Sequence, residues 1–218
     1  TNYEQVVLEV CSVRKTLQSF AKSEFQEDSL AERDKVIFEL LSVLNYNSLI
    51  DLGCNTGKFS LYAALLGYQV LGIDTNETVV DSLFSFAKAN SLPISTILGS
   101  STAREFVNGH NEADVVLALA VTHHLLLGQF SPAAQEPTTL DDVCSMIAEK
   151  TKKVALVEFM PLGMGSAVNQ FVPSPNPLPI WYSEDNFHRS LAQFFAGVEK
   201  IVYPGVVGRT RVLFFCEK

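Results

Sequence analysis

Two adjacent histidines, His123 and His124, a glutamate, Glu158, and an aspartate, Asp74, are the residues of this chain whose types could do chemistry together. Each follows or ends a short apolar run: Val115–Ala120 before the histidines, Lys153–Phe159 around Glu158, and Gln69–Ile73 before Asp74. Runs of that kind read as buried strands. Laid parallel, they collect all four polar groups on one rim, beyond the carboxyl ends of the strands, where open parallel sheets bind ligands. A histidine there can take a proton from a hydroxyl near neutral pH, and such general-base help is worth about 10²–10⁴-fold. A carboxylate bonded to its other ring nitrogen would fix the tautomer and stabilise the imidazolium. In this reading one imidazole of the pair His123 and His124 is the base, Glu158 its orienter and the other imidazole a secondary group. The sequence alone does not fix which imidazole points inward. A metal site from the same residues is disfavoured, since consecutive side chains diverge and no H-x-x-x-H or carboxylate-rich motif accompanies them.

A second constellation lies upstream, in LIDLGCNTG (Leu49–Gly57). An apolar run interrupted by Asp51 leads into a turn bracketed by Gly53 and Gly57, and helical spacing follows from Lys58 to Leu66. Glycine at a strand exit lets the backbone approach a ligand, and the next helix offers unpaired N–H groups at its start. Asn55 stands where a further glycine would serve, and asparagine tolerates left-handed backbone. A triphosphate loop is excluded: only Cys54, Asn55 and Thr56 separate the glycines, and Phe59 follows Lys58 where Ser or Thr is needed. The dinucleotide spacing G-x-G-x-x-G fails as well. Asp74, at the end of the second strand, is placed to accept hydrogen bonds from both hydroxyls of a ribose, with Thr75 beside it.

The elements that must position these groups alternate along the chain. Two helical patterns, Val6–Phe20 and Leu30–Leu44, precede strands at Leu49–Leu52, Gln69–Ile73, Ile94–Leu98, Val115–Ala120 and Lys153–Phe159. Helices are expected at Lys58–Leu66, Asn76–Asn90, Leu140–Lys150 (capped by Thr138 or Thr139) and Ser183–Ala196. Strands Val198–Tyr203 and Thr210–Cys216 flank Pro204, Gly205 and Gly208, a hairpin signal that makes the last strand antiparallel. The order implies a mostly parallel sheet of seven strands with helices on both faces. The stretch Met160–Ile180 holds five prolines counted by name (Pro161, Pro173, Pro175, Pro177, Pro179) and cannot be regular throughout. With Trp181 and Tyr182 it reads as a wall over the acceptor.

At 218 residues, 47% of them hydrophobic, the chain suffices for one α/β domain. A helical lid over 1–47 and a catalytic core over 48–218 are expected. It begins at Thr1, as an excised domain would, and shows neither a signal segment nor an apolar run of membrane length. Four scattered cysteines without a C-x-x-C pair point to a reducing, cytoplasmic setting. A net charge of −8 disfavours a nucleic-acid partner. Lys200, Arg209 and Arg211 read as solvated surface groups.

The pattern D-x-G-x-N-x-G resembles the first motif of the class I S-adenosylmethionine (SAM) methyltransferases, with Asn55 as a departure from their usual third position. Taken with GIDTNE (Gly72–Glu77), LALAVTHHLLLG (Leu117–Gly128), EFMPLG (Glu158–Gly163) and GRTRVLF (Gly208–Phe214), the chain looks like one branch of them. That branch includes O-methyltransferase domains of bacterial modular polyketide synthases and nodulation-type proteins. The resemblance runs from about Leu49 to the end. It implies a Rossmann-like α/β fold and SAM held by Asp51, Gly53, Cys54, Asn55, Gly57, Asp74, Thr75, Ser100 and Ala120. It implies O-methylation of a hydroxyl, foremost a β-hydroxyl on an acyl carrier protein-tethered chain within a multidomain synthase, with Met160, Trp181 and Tyr182 against the acceptor. The chain also resembles sugar O-methyltransferases with paired histidines after the fourth strand and an acid after the fifth, which implies His123 as the base, Glu158 as its orienter and His124 as secondary. A free small-molecule or sugar hydroxyl is the alternative, and a catalytically silent scaffold module another. The absence of an N/D-P-P-Y/F segment after the fourth strand counts against methylation of nucleobase amino groups.

Overall fold

The computed structural model describes residues 32–99, 111–126, 139–160, 181–202 and 211–218. Among them the chain runs α1 (Glu32–Leu44), β1 (Ser48–Leu52), α2 (Lys58–Leu65), β2 (Gln69–Asp74), α3 (Glu77–Ala89), β3 (Ile94–Leu98) and β4 (Ala113–Ala118). It continues with α4 (Thr122–Leu126), α5 (Leu140–Lys150), β5 (Thr151–Phe159), α6 (Glu184–Phe194), β6 (Gly197–Val202) and β7 (Val212–Glu217). The helix expected over Val6–Phe20, Ser100, His110, the stretch 161–180 and the turn around Gly205 and Gly208 lie outside the described residues.

The seven strands form one sheet in the order β3-β2-β1-β4-β5-β7-β6. The first five pair in parallel, and β7 inserts antiparallel between β5 and β6. This is the fold of class I methyltransferases. Because β7 runs the other way, it begins at the rim where the parallel strands end. Phe159 pairs with Val212 and Glu158 with Leu213, so Arg211, just before β7, arrives beside the end of β5.

Apolar residues cover both sheet faces, as parallel strands require. One core packs α4, α5 and α6 residues such as Leu126, Ile147, Phe187 and Leu191 on Val116, Ala155, Val157 and Phe214. The other packs Ile37 and Leu41 of α1, Leu61 of α2 and Leu83 and Phe86 of α3 on Leu49, Val115 and Leu156. Helix α1 is thus bolted to the sheet, with Phe38 stacked on Tyr62 of α2 at 4.1 Å between ring centres.

Helix starts follow side-chain chemistry. Thr139 and Asp142 form a reciprocal capping box on α5, and Ser183 caps α6. Helix α3 is capped by Asn76, whose side chain accepts from Thr78 N, rather than by Thr75. Strand β4 ends at Ala118, two positions before the apolar run does, because the chain swings out at Ala120 with φ 54°. Left-handed backbone at an alanine costs about 1–2 kcal/mol, and this strain sits where the chain turns toward the histidines.

Candidate active site

The turn between β1 and α2 is built on left-handed backbone: φ is 69° at Gly53, 48° at Asn55 and 80° at Gly57. A Cβ at Gly53 would lie 2.9 Å from Val121 Cγ2, and one at Gly57 would lie 2.5 Å from Leu83 Cδ1. Both glycines are therefore demanded by close packing as well as by conformation. Amides of the turn itself, ahead of the start of α2, are engaged. Gly53 N and Cys54 N both donate to Ile73 O, at 2.8 and 3.0 Å, and Gly57 N donates to Cys54 O. Asn55 N donates to Asp74 Oδ2 at 2.8 Å. With these amides engaged, the cradle presents carboxylates instead of a nest for phosphate.

Two acids define it. Asp74 also accepts from Asn76 N through Oδ1, at 2.9 Å, so one carboxylate ties together the turns after β1 and β2. Its oxygens keep further lone pairs for a ligand hydroxyl. Asp51 is buried, accepts from Ser60 Oγ at 2.6 Å, and has its carboxyl pushed up to about 6, chiefly by burial. Arg33 lowers it and Asp74 raises it further. A desolvated carboxylate of this kind favours a cation beside it. Two acceptors of this type, one of them short of positive charge, fit SAM, which carries a ribose diol and an ammonium group. Cys54 takes part by packing: its Sγ would lie 3.2 Å from a Cβ at Gly72, and burial pushes its thiol up, beyond the reactive range.

The histidines follow directly. Thr122 is fully buried and donates its hydroxyl to Glu158 O at 3.1 Å, which fixes the start of α4 against the end of β5. His123 is buried too, and the two imidazole rings lie 3.9 Å apart at 40°. Their surroundings differ. The Asp74 carboxylate acts on His124, partly offsetting the burial that lowers it. His123 is lowered to about 3, first by burial, then by His124 and Arg211. Both rings are neutral at physiological pH. Nδ1 of His123 has no hydrogen-bond partner among the described residues.

Glu158 was expected to orient His123, and here the structure corrects the sequence. Its fully buried carboxylate accepts from Arg33 Nε at 2.7 Å and from Arg33 Nη2 at 3.0 Å, with Arg211 Nη1 3.5 Å from Oε2. No hydrogen bond joins it to His123 among the described residues. A guanidinium presents two parallel donors to one carboxylate, a geometry a single imidazole N–H cannot match. Arg33 also lies over the Phe59 ring and beside Asp34, which pairs with Lys58 at 2.9 Å. These arginines escaped the sequence reading because nothing local marks them.

On the acceptor side, Met160 and Tyr182 are buried, and the Tyr182 hydroxyl donates to Met160 O at 2.8 Å. Tyr182 packs on Phe159 in the core, while Trp181 is 45% exposed. Thr75 and Ala120 lie at the ends of β2 and β4, on the same rim as the turn.

Residues 50–139 match the family described as Methyltransferase domain. The nodulation protein NoeA of Rhizobium meliloti (strain 1021) is 26% identical over 197 residues, which is 85% of this chain and 40% of that protein. The ribosomal protein L11 methyltransferase of Herpetosiphon aurantiacus is 30% identical over 125 residues, 47% of this chain and 39% of its own. The chain therefore spans about two fifths of these relatives. Among solved structures, TehB from Haemophilus influenzae superposes with a TM-score of 0.61 at 20% identity, covering 92% of this chain and 66% of that one. The magnesium protoporphyrin IX methyltransferase from Synechocystis PCC 6803 with bound SAH gives 0.62 at 14% identity, covering 95% and 94%. At these identities the structural likeness concerns the fold.

Proposed function

We propose that this chain is a SAM-dependent methyltransferase and that the methyl group goes to a hydroxyl oxygen, a reading supported by the methyltransferase-domain match over residues 50–139 and by the shared fold. The observation that carries this reading is the buried Nδ1 of His123, left without a hydrogen-bond partner among the described residues. A buried polar atom without a partner is uncommon and calls for an incoming group. An alcohol is a poor nucleophile while protonated, so a neutral imidazole that can accept its proton is what the reaction lacks in water.

When bound, SAM supplies an electrophilic methyl on a sulfonium. The chain's own residues do the rest. Asp74 and Asp51 hold the cofactor's polar groups, with Gly53 and Gly57 keeping the turn close. His123 would take the acceptor's proton, and His124, its ring 3.9 Å away, feels the Asp74 carboxylate. Glu158 is a positioning residue, anchoring Arg33 and Arg211 at the rim. Alignment of acceptor and methyl would add as much as the base or more.

The favoured acceptor is a β-hydroxyl on a carrier-protein-tethered chain, the acceptor implied by motifs such as LALAVTHHLLLG if their resemblance to polyketide synthase O-methyltransferase domains holds. A free small-molecule or sugar hydroxyl is second. The test is intact-mass analysis of a carrier protein loaded with 3-hydroxyacyl groups, incubated with SAM, with free 3-hydroxy compounds in parallel. A gain of one methyl that disappears in His123→Asn supports the reading. SAM binding with no methyl gained on any hydroxyl would make the chain a silent module instead.

A further inference from the structure

Resting on the hydroxyl-methylation reading in its free small-molecule form, since a carrier-bound thioester leaves no carboxylate, we propose that the acceptor also carries a carboxylate, held by Arg211, so that the substrates are free hydroxy acids. Two guanidinium groups meet one carboxylate at the end of β5, and they do not share it evenly. Arg33 holds Glu158 with two hydrogen bonds of 2.7 and 3.0 Å, whereas Arg211 stands off at 3.5 Å. Arg211 makes no other ion pair among the described residues, and its side chain is 33% exposed where Glu158 is wholly covered. It is a fixed cation with one face on the rim. The adjoining sequence adds no acid to satisfy it. Residues 161–180, which follow β5, hold no charged residue, and residues 203–210, which lead into Arg211, hold only Arg209.

Its position matters because it acts on His123. The charged and titratable groups around that ring are Arg211 and His124, with Glu158 and Arg33 beyond on β5 and α1 and Asp74 on the cofactor side. The nearby cation opposes protonation of the imidazole. A carboxylate brought in by the acceptor would pair with Arg211 and cancel that opposition. Burial and His124 weigh on the ring more than Arg211 does, so the pairing relieves the smallest of its three causes. In the step, the hydroxyl O–H bond breaks, its proton goes to His123, and the oxygen forms a bond to the methyl carbon. The carbon–sulfur bond breaks with its electrons staying on sulfur. An acceptor without the acid would leave Arg211 with Glu158 alone among the described residues, at 3.5 Å.

The test uses the full chain saturated with S-adenosylhomocysteine and labelled at the histidine rings, at pH 7.5 and constant ionic strength. Titration with 3-hydroxyhexanoate and, separately, 3-hydroxyhexanamide is followed by the His123 ring resonances. The acid is expected to bind at least tenfold more tightly than the amide. Arg211→Gln should bring that ratio near one and Arg211→Lys should restore part of it, with SAM affinity within twofold in all three proteins. Equal binding of acid and amide to the unaltered chain overturns the proposal, as does binding of neither, without need of the variants. Persistence of the preference in Arg211→Gln overturns it too. Failure of the chain to bind SAM would instead overturn the methyltransferase reading and leave an acid preference standing by itself.

Discussion

Arg33 and Glu158, 125 positions apart in the chain, form a two-point ion pair that closes α1 over the end of β5. A fully buried carboxylate is tolerated only when its oxygens are met by donors in good geometry, and here both are. The same contact joins α1 to the rim at the end of β5.

Breaking that pair is expected to be costly. Arg33→Met removes both hydrogen bonds and should lower stability by about 3 kcal/mol, as for loss of one partner of a buried ion pair. The double variant Arg33→Met with Glu158→Gln should lose less than the sum of the two singles. Urea denaturation of the four proteins measures this, and strict additivity would remove the pair from the account of how α1 is held.

Asp51 should make cofactor binding pH-dependent. Its folded pKa of about 6 lies above its ordinary 3.8, so the stability it contributes is full below 3.8 and is lost as pH rises through 6. The difference corresponds to about 3 kcal/mol. A cationic ligand group beside it reverses the preference for the neutral form, so SAM affinity should rise with pH through about 6 and then level off. Calorimetry from pH 5 to 8 checks this, with Asp51→Asn expected to be weak and flat.

His123 should titrate far below a free histidine. Its folded pKa is lowered to about 3 from an ordinary 6.5, so its contribution to stability is present above 6.5 and lost as pH falls toward 3. Ring NMR of the free enzyme should show one imidazole neutral at pH 5. His123→Asn should keep SAM affinity and lose about two to four orders of magnitude in methyl transfer. Near-normal turnover in that variant, with chemistry limiting, would end its assignment as the base.

Gly57 is a packing requirement with a measurable cost. Gly57→Ala puts a Cβ 2.5 Å from Leu83 Cδ1 at φ 80° and should destabilise by about 2–4 kcal/mol. Pairing it with Leu83→Ala should cost less than the sum of the singles, because the clash disappears and only backbone strain remains. At Gly67, where φ is 97° but nothing lies within 4 Å, alanine should cost only the strain.

Asp74→Ala should weaken SAM binding at least tenfold, since it removes a ligand acceptor and unties Asn55 N and Asn76 N together. Trp181→Ala, at the exposed edge of the acceptor side, should change the acceptor KM or kcat and leave SAM affinity alone. An effect of Trp181→Ala on SAM alone would move that residue to the cofactor side.

What the sequence determined by itself is the local chemistry. Alternating apolar runs and helical patterns gave the order of strands and helices, and Gly53, Asn55 and Gly57 marked a left-handed turn because few other residues adopt that backbone without cost. The antiparallel last strand was legible in Pro204, Gly205 and Gly208. Thr122, His123 and His124 could be placed at the end of β4, although the strand stops two residues early because Ala120 turns the chain. What only the tertiary structure decided is who faces whom on the rim. Ion pairs between distant positions leave no periodicity or spacing, so Glu158 was given to His123 in sequence when Arg33 holds it in space. Arg211 read as a surface charge until the reversal of β7 brought its start beside the ends of the parallel strands. What engages the amides of the turn was likewise decided in space, because only β2 lying alongside supplies the Ile73 carbonyl and the Asp74 carboxylate that accept from them.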